Sequence, residues 1–303
     1  ALSVTIDTTA PAAPSTPDLA SVSDSGNSDT DDLTNVNTPT VAGAAETGST
    51  VSITSSTDGA VGSDIANAIT GVWAFVTNPL SDGAHDLTAV ATDAAGNASV
   101  ASAALAVTID TVPPATPVAP DLDAASDSGS SNIDDNTSDD TPTINGTADA
   151  NSTVELLEGA TSLGTTTADG SGDWSITSSS LSDGSHDLTV TATDAAGNTS
   201  AASSALTVTV DTTPPDPPSA PDLNAASDSG VSDTDDLTNV NTPVLAGAAE
   251  TDSTVSITSD IDGVVGTATS DSTVGIWTAV TAALSEGAHN LSATATDAAG
   301  NTS

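Results

Sequence analysis

The sequence contains no cysteine, lysine, arginine, methionine or tyrosine, and its aromatic residues are three tryptophans and one phenylalanine. Without cysteine, the disulfide bonds that stabilise many small secreted domains are excluded. Without lysine or arginine, the chain has no basic surface to attract nucleic acid or an anionic membrane. No apolar run approaches the roughly 18 residues that a membrane-spanning helix needs, so direct membrane insertion is not expected.

Negative charge dominates instead, because 42 aspartate and glutamate residues give the 303-residue chain a formal net charge of −42. Two carboxylates about 4 Å apart repel by ~1 kcal/mol in water and by ~4 kcal/mol at an effective dielectric constant of about 20. Only a protonated histidine or the N-terminal amine could offset this repulsion within the chain. Clustered aspartates are therefore expected to be solvated, screened by salt or neutralised by bound cations.

Internal repetition organises the chain. The motif TDAAGN begins at positions 92, 193 and 296, so the repeat advances by 101 and then by 103 residues. This length suits a self-contained domain better than a short solenoid repeat. We predict four segments: 1–7, the last strand of a preceding unit; 8–110, a first unit; 111–211, a second unit; and 212–303, a third unit without its last strand.

Strand patterns fill each unit. In HDLTVTATD (186–194), Leu188, Val190 and Ala192 alternate with threonines, as in a strand with one buried face. Segments 205–211, 49–55, 71–76 and 38–43 also predict strands, and no window shows a helical period. The predicted fold class is all-β: tandem immunoglobulin-like β-sandwiches of about seven strands each, in an elongated array.

One tryptophan and, 12 positions later, one histidine recur in each unit. The tryptophans at strand positions predict core residues, with an exposed platform for a glycan as the alternative. Each histidine follows an Asp-Gly or Glu-Gly turn and has no second histidine nearby, which favours a structural role. No G-x-S-x-G motif occurs, and no enzymatic activity is expected. The positions are Trp73, Trp174, Trp277, His85, His186 and His289.

An aspartate ends each of the three last-strand sequences, at Asp7, Asp110 and Asp211, just before a proline-rich linker. Alternating strand directions place this aspartate beside the DAAGN loop of the following unit, where the acid of another turn (Glu46, Asp149 or Glu250) can approach. Oxygen ligands from a linker and two loops suit Ca²⁺ better than Mg²⁺, which retains its own water. The predicted calcium pairs are Asp7 with Asp93, Asp110 with Asp194, and Asp211 with Asp297.

A second acidic cluster follows the first strand of each unit, in what we call the SDSG loop (23–35, 126–138 and 227–239). Asp-Gly and Asp-Ser are also common in solvated turns, so the pattern alone has two interpretations. If the loop binds Ca²⁺, it either shares the linker site or holds a separate ion. The candidate ligands are Asp24, Asp29, Asp31, Asp127, Asp134, Asp228, Asp233 and Asp235.

In order along the chain, VTIDTVPPATP, TPTINGTA, GDWSIT and LSDGSHDLTVTATDAAGNTS resemble the bacterial Ig-like tandem domains of giant secreted adhesins. These include RTX-type and biofilm-associated adhesins that are exported by type I secretion. The resemblance implies a non-catalytic, extracellular stalk at the bacterial cell surface, with neighbouring repeats as partners. It also implies interdomain calcium at Asp110 with Asp194 and at Asp211 with Asp297.

Two alternatives to a simple stalk follow from the sequence. Repeat surfaces rich in threonine could bind glycan, ice or another cell, which would make the chain an adhesive module. Residues 1–7 have the sequence of a last strand, whereas the third unit stops before its own. This pattern is typical either of a window from a longer array or of a filament subunit that donates a strand to another copy.

Overall fold

The computed structural model describes residues 2–129, 131–229, 231–232 and 234–303, and its regular elements are β-strands. Asp233, one of the predicted calcium ligands, lies outside the described residues. No described residue belongs to a helix long and apolar enough to cross a membrane. The prediction of an all-β fold is confirmed.

The first unit is a sandwich of two sheets. Its strands are Asp18–Leu19 (β1), Leu33–Thr34 (β2), Thr40–Ala44 (β3), Thr50–Ser55 (β4), Gly59–Ile65 (β5), Val72–Val76 (β6), Gly83–Thr92 (β7) and Leu105–Ile109 (β8). One sheet has the order β1-β3-β6 and the other β2-β8-β7-β4-β5. Only β2 and β8 run parallel, so the end of the SDSG loop lies beside the unit's last strand.

The second unit repeats this arrangement. Its strands are Asp121–Leu122 (β9), Asn136–Thr137 (β10), Thr143–Thr147 (β11), Thr153–Glu158 (β12), Thr161–Thr167 (β13), Asp173–Thr177 (β14), Gly184–Thr193 (β15) and Leu206–Val210 (β16). The sheet orders are β14-β11-β9 and β10-β16-β15-β12-β13, which match those of the first unit strand for strand.

The third unit has two three-stranded sheets, β17-β18-β21 and β20-β19-β22. Its strands are Asp222–Leu223 (β17), Val244–Ala248 (β18), Thr254–Ser259 (β19), Gly263–Thr269 (β20), Ile276–Val280 (β21) and Leu291–Thr296 (β22). Strand β22 corresponds to β7 and β15. Within the described part of this unit, no strand pairs with the edge of β22 that β8 and β16 cover in the other two units.

Alternating side chains build a separate core in each unit. In β7, Leu87, Ala89 and Ala91 are buried and the residues between them face outward, as the sequence period of two predicts. Trp73, Trp174 and Trp277 are only 1%, 5% and 1% exposed. The prediction that the tryptophans belong to the core is confirmed, and the alternative of an exposed tryptophan platform for a glycan is wrong.

Strand β5 and its equivalents β13 and β20 have no counterpart among the strands predicted from sequence. Each pairs with the strand before it in a hairpin whose register shifts at a β-bulge, for example between Ile53 and Thr54. The bulge and the glycines of GAVGSDI interrupt the alternation that identifies the other strands.

Candidate functional site

The linker between the first two units is joined to the DAAGN loop of the second unit. The side-chain amide of Asn198 donates to the carbonyl oxygen of Asp110 at 2.8 Å and to the carboxylate of Asp194 at 2.9 Å. Asn198 therefore connects the two residues that were predicted to share an ion. It was not itself predicted, although it ends the repeated DAAGN motif.

The same connection occurs at the other two linkers. Asn301 donates to the Asp211 carbonyl at 2.7 Å and to the Asp297 carboxylate at 2.9 Å. Asn97 likewise donates to the Asp7 carbonyl at 3.2 Å and to Asp93 at 2.8 Å. The backbone of each linker aspartate thus meets the predicted loop aspartate through one asparagine.

At two of the three predicted linker sites, the linker aspartate and the two loop acids line one cavity. Asp110, Asp149 and Asp194 line a cavity of about 390 Å³. Asp7, Glu46 and Asp93 line the corresponding cavity of about 440 Å³ before the first unit. At the third unit, the cavity beside Glu250 is lined by Asp216 and Pro217 instead of Asp211 and Asp297.

The carboxylates in these cavities are oriented by backbone amides. Asp110 accepts from the amide of Val112 at 3.0 Å, and Asp149 accepts from the amide of Ala115 at 2.9 Å. Hydrogen bonds from the side chain and backbone of Asn97 hold the pKa of Asp93 below its ordinary value of 3.8. In the described residues no three His, Asp or Glu side chains are grouped closely enough to hold a metal ion as they stand.

At both junctions between successive units, the SDSG loop of one unit also contacts the following unit. In the first unit, the Ser25 hydroxyl lies 2.8 Å from the carbonyl oxygen of Ala196, and the amide of Asn27 donates to the carbonyl of Ala195 at 3.3 Å. In the second unit, Ser128 makes the equivalent contact with Ala299. The SDSG loop of one unit therefore packs on the DAAGN loop of the next.

Glycine makes this close approach possible. Gly26 and Gly129 have φ angles of 95° and 98°, and an added Cβ on either would strike the carbonyl of Ala195 or Ala298. The loop is also tied to its own last strand, because the amide of Asp110 donates to the carbonyl of Thr34 at 2.9 Å. Loop, linker and following unit thus form one hydrogen-bonded network.

The sequence left open whether the SDSG loop shares the linker cavity, and in the second unit the two sets of acids are separate. The cavity of about 440 Å³ beside the loop is lined by Asp121, Asp123, Asp127 and Asp135, and by no linker aspartate. The linker site at that end of the second unit is that of Asp211 and Asp297, and neither of these residues lines the cavity.

One aspartate of each SDSG loop is buried without a full set of partners. Asp24, Asp127 and Asp228 are 6%, 6% and 8% exposed, and the Oδ1 atom of each has no hydrogen-bond partner among the described residues. Burial and, more weakly, the neighbouring Asp31 and Asp29 raise the pKa of Asp24 above 3.8. A buried carboxylate with an unpartnered oxygen is costly unless a proton or a cation neutralises it.

A second acid of the same acidic cluster lies beside the buried aspartate in each of the first two units. Asp32 and Asp135 have φ angles of 59° and 58°, in the left-handed region that aspartate adopts more readily than most other residues. Burial raises the pKa of Asp32, and Asp24 and Asp18 raise it further. Asp18 and Asp121, which precede the loops, were not predicted to belong to the acidic cluster. The repeated sequence PDL could have identified them. Four predicted ligands are exposed at the loop surface: Asp29, Asp31, Asp134 and Asp235.

The histidines have the structural role that was expected. Ser55 and Asp58 lie 2.9 Å and 3.5 Å from the same nitrogen of His85, Nδ1, while Nε2 lies 2.7 Å from the backbone carbonyl of Ser81. In a catalytic triad, serine and aspartate bind opposite nitrogens and the serine is accessible. Because Ser55 and His85 are both buried, this set anchors a turn.

The second unit replaces this serine with Glu158. The two nitrogens of His186 lie 2.8 Å from the Glu158 carboxylate and 2.7 Å from the Ser182 carbonyl, so both face acceptors and the ring binds best as a cation. Burial lowers the pKa of His186, but the hydrogen bonds to Ser182 and Glu158 outweigh it, and the net pKa lies above 6.5.

We expect Glu158→Ser, which copies Ser55, to lower the pKa of His186. A histidine whose pKa is higher in the folded state stabilises the fold at a pH below 6.5, its ordinary pKa. This stabilisation is lost as the pH rises through the folded-state pKa. The wild-type second unit should therefore lose more stability between about pH 6 and about pH 8 than the variant. NMR titration of the His186 ring measures the shift. Glu155→Ser, which makes the same charge change on β12, should leave this titration unmoved; equal shifts in both variants would contradict the assignment.

The sheets define a β-sandwich domain repeated in tandem. The sequence model of the bacterial Ig-like domain family matches residues 9–111, 114–212 and 214–303. The chain therefore belongs to this family and contains three copies of the domain. The resemblance seen in the sequence motifs is confirmed. A comparison with curated proteins gives no match.

Solved structures with similar folds include repeat regions of bacterial adhesins. A Ca²⁺-stabilised adhesin with which an Antarctic bacterium binds ice is 25% identical, with 98% of this chain and 73% of that chain covered and a TM-score of 0.38. A 1.5-MDa bacterial ice-binding adhesin is 23% identical over 96% of each chain, with a TM-score of 0.33. A tetra-tandem repeat from the extending region of a large adhesion protein is 21% identical over 96% and 72%, with a TM-score of 0.25.

Proposed function

We propose that the chain is a stalk segment of a bacterial cell-surface adhesin, in which successive Ig-like units are held in fixed orientation and stiffened by Ca²⁺. The observation that carries this proposal is the repetition of one junction. Ser25 on Ala196 and Ser128 on Ala299 make the same contact, and Asn198 and Asn301 make the same bond to the linker. A contact that recurs with every repeat transmits orientation along a chain, which is what a stalk requires.

Two sets of residues would hold Ca²⁺ in this proposal. At the linker they are Asp110, Asp149 and Asp194, whose oxygens line one cavity. In the SDSG loop they are the buried aspartate and the acids beside it, such as Asp127 and Asp135. Both sets offer only oxygen donors, which Ca²⁺ prefers, and the chain has no lysine or arginine to neutralise them. A bound ion would neutralise the buried carboxylates and draw linker and loop together.

The SDSG set also predicts how calcium and pH act together. Burial raises the pKa of Asp24 and Asp127, so their negative charge destabilises the fold as the pH rises above 3.8, and fully so above the folded-state pKa. A cation removes that penalty at neutral pH. Below pH 3.8 protons neutralise these carboxylates instead, and they compete with the metal for the same oxygens.

We expect calcium to raise the melting temperature at neutral pH and to narrow the range of interdomain angles. With dissociation constants of about 10⁻⁴–10⁻³ M, about 10 mM Ca²⁺ would stabilise each site by roughly 1.4–2.7 kcal/mol. Calorimetry and small-angle scattering, each with CaCl₂ and with EGTA, measure the two effects. If EGTA changes neither the melting temperature nor the maximum dimension, the calcium part of the proposal fails.

Matched variants separate the two sites. Asp110→Asn with Asp194→Asn should weaken the effect of calcium on the maximum dimension, because the linker set between the first two units is lost while that between the second and third units remains. Asp127→Asn should remove part of the calcium-dependent rise in melting temperature of the second unit. Asp173→Asn removes one charge from an exposed position outside both cavities and should leave both responses intact. If Asp173→Asn weakens them equally, calcium acts by general screening of charge.

A further inference from the structure

A turn in the second unit, residues 182–184, connects a buried histidine to the linker that leads to the third unit. We call it the histidine turn. The Nε2 atom of His186 lies 2.7 Å from the carbonyl oxygen of Ser182. The carboxylate of the next residue, Asp183, accepts from the amide and the hydroxyl of Thr212 at 3.0 Å and 2.7 Å. It also accepts from the hydroxyl of Thr213 at 3.0 Å. One peptide group therefore separates the histidine contact from the linker contact.

The contacts continue from the linker into the third unit. The amide of Thr213 donates to the carboxylate of Asp211 at 3.0 Å, and the carbonyl of Asp211 accepts from Asn301 at 2.7 Å. Asn301 belongs to the DAAGN loop of the third unit. A series of hydrogen bonds thus runs from His186 through the histidine turn and the linker to the next domain. Contiguous series of this kind can carry a local change across a junction.

The proton on His186 decides whether this series is complete. A neutral imidazole has one N–H donor and one bare acceptor nitrogen, whereas the positive ring has two donors. Both nitrogens of His186 face acceptors, the carboxylate of Glu158 at 2.8 Å and the carbonyl of Ser182. The positive ring donates to both of them. Loss of the proton leaves Glu158 and Ser182 to compete for a single N–H.

The first unit has the same turn without this competition. Nε2 of His85 lies 2.7 Å from the carbonyl of its own turn, and Asp82 accepts from the amide and the hydroxyl of Thr111 at 3.2 Å and 2.9 Å. Nδ1 of His85, however, lies 2.9 Å from the hydroxyl of Ser55, which can donate, and farther, at 3.5 Å, from Asp58. A neutral His85 therefore satisfies both its turn and Ser55. The first junction is an internal control for the second.

Near neutral pH, His186 is the group that titrates at this turn. Glu158 on β12 contacts its ring, and β16 places the uncharged Val208 opposite it. Hydrogen bonds from the linker threonines hold the pKa of Asp183 below 3.8, so this residue stays ionised. Asp187 lies on the outer face of β15 and accepts from a threonine of β16 at 2.6 Å. The carboxylates on the elements around the ring are Asp140, Glu158, Asp183 and Asp187.

We propose that the histidine turn of the second unit is a proton-controlled clamp on the linker to the third unit, closed while His186 is protonated and looser once the proton leaves. Below pH 6.5 the ring donates to both Glu158 and Ser182, and the turn holds Asp183 against the linker. Burial lowers the pKa of His186, but its hydrogen bonds bring the net pKa above 6.5, so the clamp loosens as the pH rises through that higher value. The third unit then samples a wider range of orientations relative to the second.

Amide hydrogen exchange in the full chain tests the proposal, with the intrinsic pH dependence of exchange divided out and with EGTA present to remove bound calcium. Between about pH 6 and about pH 8, protection of the Thr212 amide should fall at least about fivefold, the loss of roughly one hydrogen bond. Thr111, its equivalent in the first unit, should stay within about twofold. The fall should follow the NMR titration of the His186 ring, with midpoints within about 0.5 pH unit. A Thr212 amide that is insensitive to pH, or an equal fall at Thr111, would overturn the proposal.

Two variants on β12 test the role of the proton. Glu158→Gln keeps the length of the side chain, but its amide can donate to a neutral ring. This variant should hold the protection of Thr212 constant across the same pH range. Glu155→Gln removes one charge from the same strand and should leave the wild-type fall intact. If the fall persists in Glu158→Gln, or disappears equally in Glu155→Gln, the proton on His186 does not control the clamp.

Two further variants test the path through the turn. Asp183→Ala should leave the His186 ring titrating but make Thr212 poorly protected at both pH values, whereas Asp187→Ala should preserve the wild-type response. Residual dipolar couplings report the orientation of the third unit relative to the second. They should show a broader range at about pH 8 than at about pH 6 in the wild type, and a broad range at both in Asp183→Ala. A pH-dependent junction in Asp183→Ala, or an orientation in the wild type that does not change with pH, contradicts the clamp.

Discussion

Replacing Gly146 with alanine is expected to lower the stability of the second unit by about 3 kcal/mol, because there is no room for a methyl group against the core tryptophan. Gly146 pairs directly with Trp174 across strands β11 and β14. A Cβ at position 146 would lie 2.7 Å from Cζ2 and 3.0 Å from Cε2 of the indole ring. The backbone conformation of Gly146 suits any residue, so the cost arises from this contact alone. The ring is rigid and buried, and β11 is held on both sides by other strands.

Calorimetry should show a fall of roughly 12–24 °C in the transition of the second unit, since 1 kcal/mol shifts a domain of this size by about 4–8 °C. The control is Gly170→Ala in the same unit, at an exposed turn where an added Cβ meets nothing within 4 Å. This variant should be neutral or slightly stabilising. The equivalent Gly43→Ala and Gly247→Ala should behave like Gly146→Ala in their own units. A change of less than about 2 °C for Gly146→Ala would mean that the ring does not rest on the strand.

The strands and their assembly into sandwiches could be predicted because burial of one face of a strand requires apolar residues at alternate positions in the sequence. Leu188, Val190 and Ala192 alternate with threonines, and each of them is buried. The tryptophans could be placed in the core for the same reason. Strand β5 escaped prediction because its residues, mostly exposed, carry no strict alternation.

The candidate site was only partly predictable. Strand direction alone indicated that Asp110 and Asp194 would lie at one junction, because the alternating direction of the strands determines which loops lie at the same end of a domain. The packing of Ser25 on Ala196 could not be predicted from strand direction, because it depends on the positive φ angles of Gly26 and Asp32. Neither angle is specified by a pattern of apolar and polar residues. The connecting role of Asn198 was hidden for another reason: asparagine in a DAAGN turn is equally expected from local turn chemistry.

Gly26→Ala is expected to separate the first two units while leaving both folded. The added methyl group would strike the carbonyl of Ala195, and Gly197 faces Gly26 so closely that an added Cβ there would lie 3.0 Å from the Gly26 backbone. The loop must therefore withdraw, and the contacts of Ser25 and Asn27 with the next unit are lost. Two hydrogen bonds contribute about 1–3 kcal/mol to the junction. Exchange of the Asn27 amide should accelerate by about 5- to 150-fold, and scattering should show a broader distribution of interdomain angles.

The conformational strain of this substitution needs its own control, because Gly26 has a φ of 95° and alanine pays about 1–2 kcal/mol in the left-handed region. Gly59→Ala provides it: Gly59 has a φ of 74°, lies in the hairpin between β4 and β5, and an added Cβ there meets nothing within 4 Å. Both variants should lower the melting temperature of the first unit by a similar amount, but only Gly26→Ala should free the Asn27 amide and broaden the interdomain angles. If Gly59→Ala broadens them equally, the looseness comes from a weakened first unit. If neither does, the linker and Asn198 alone are enough to hold the two units in register.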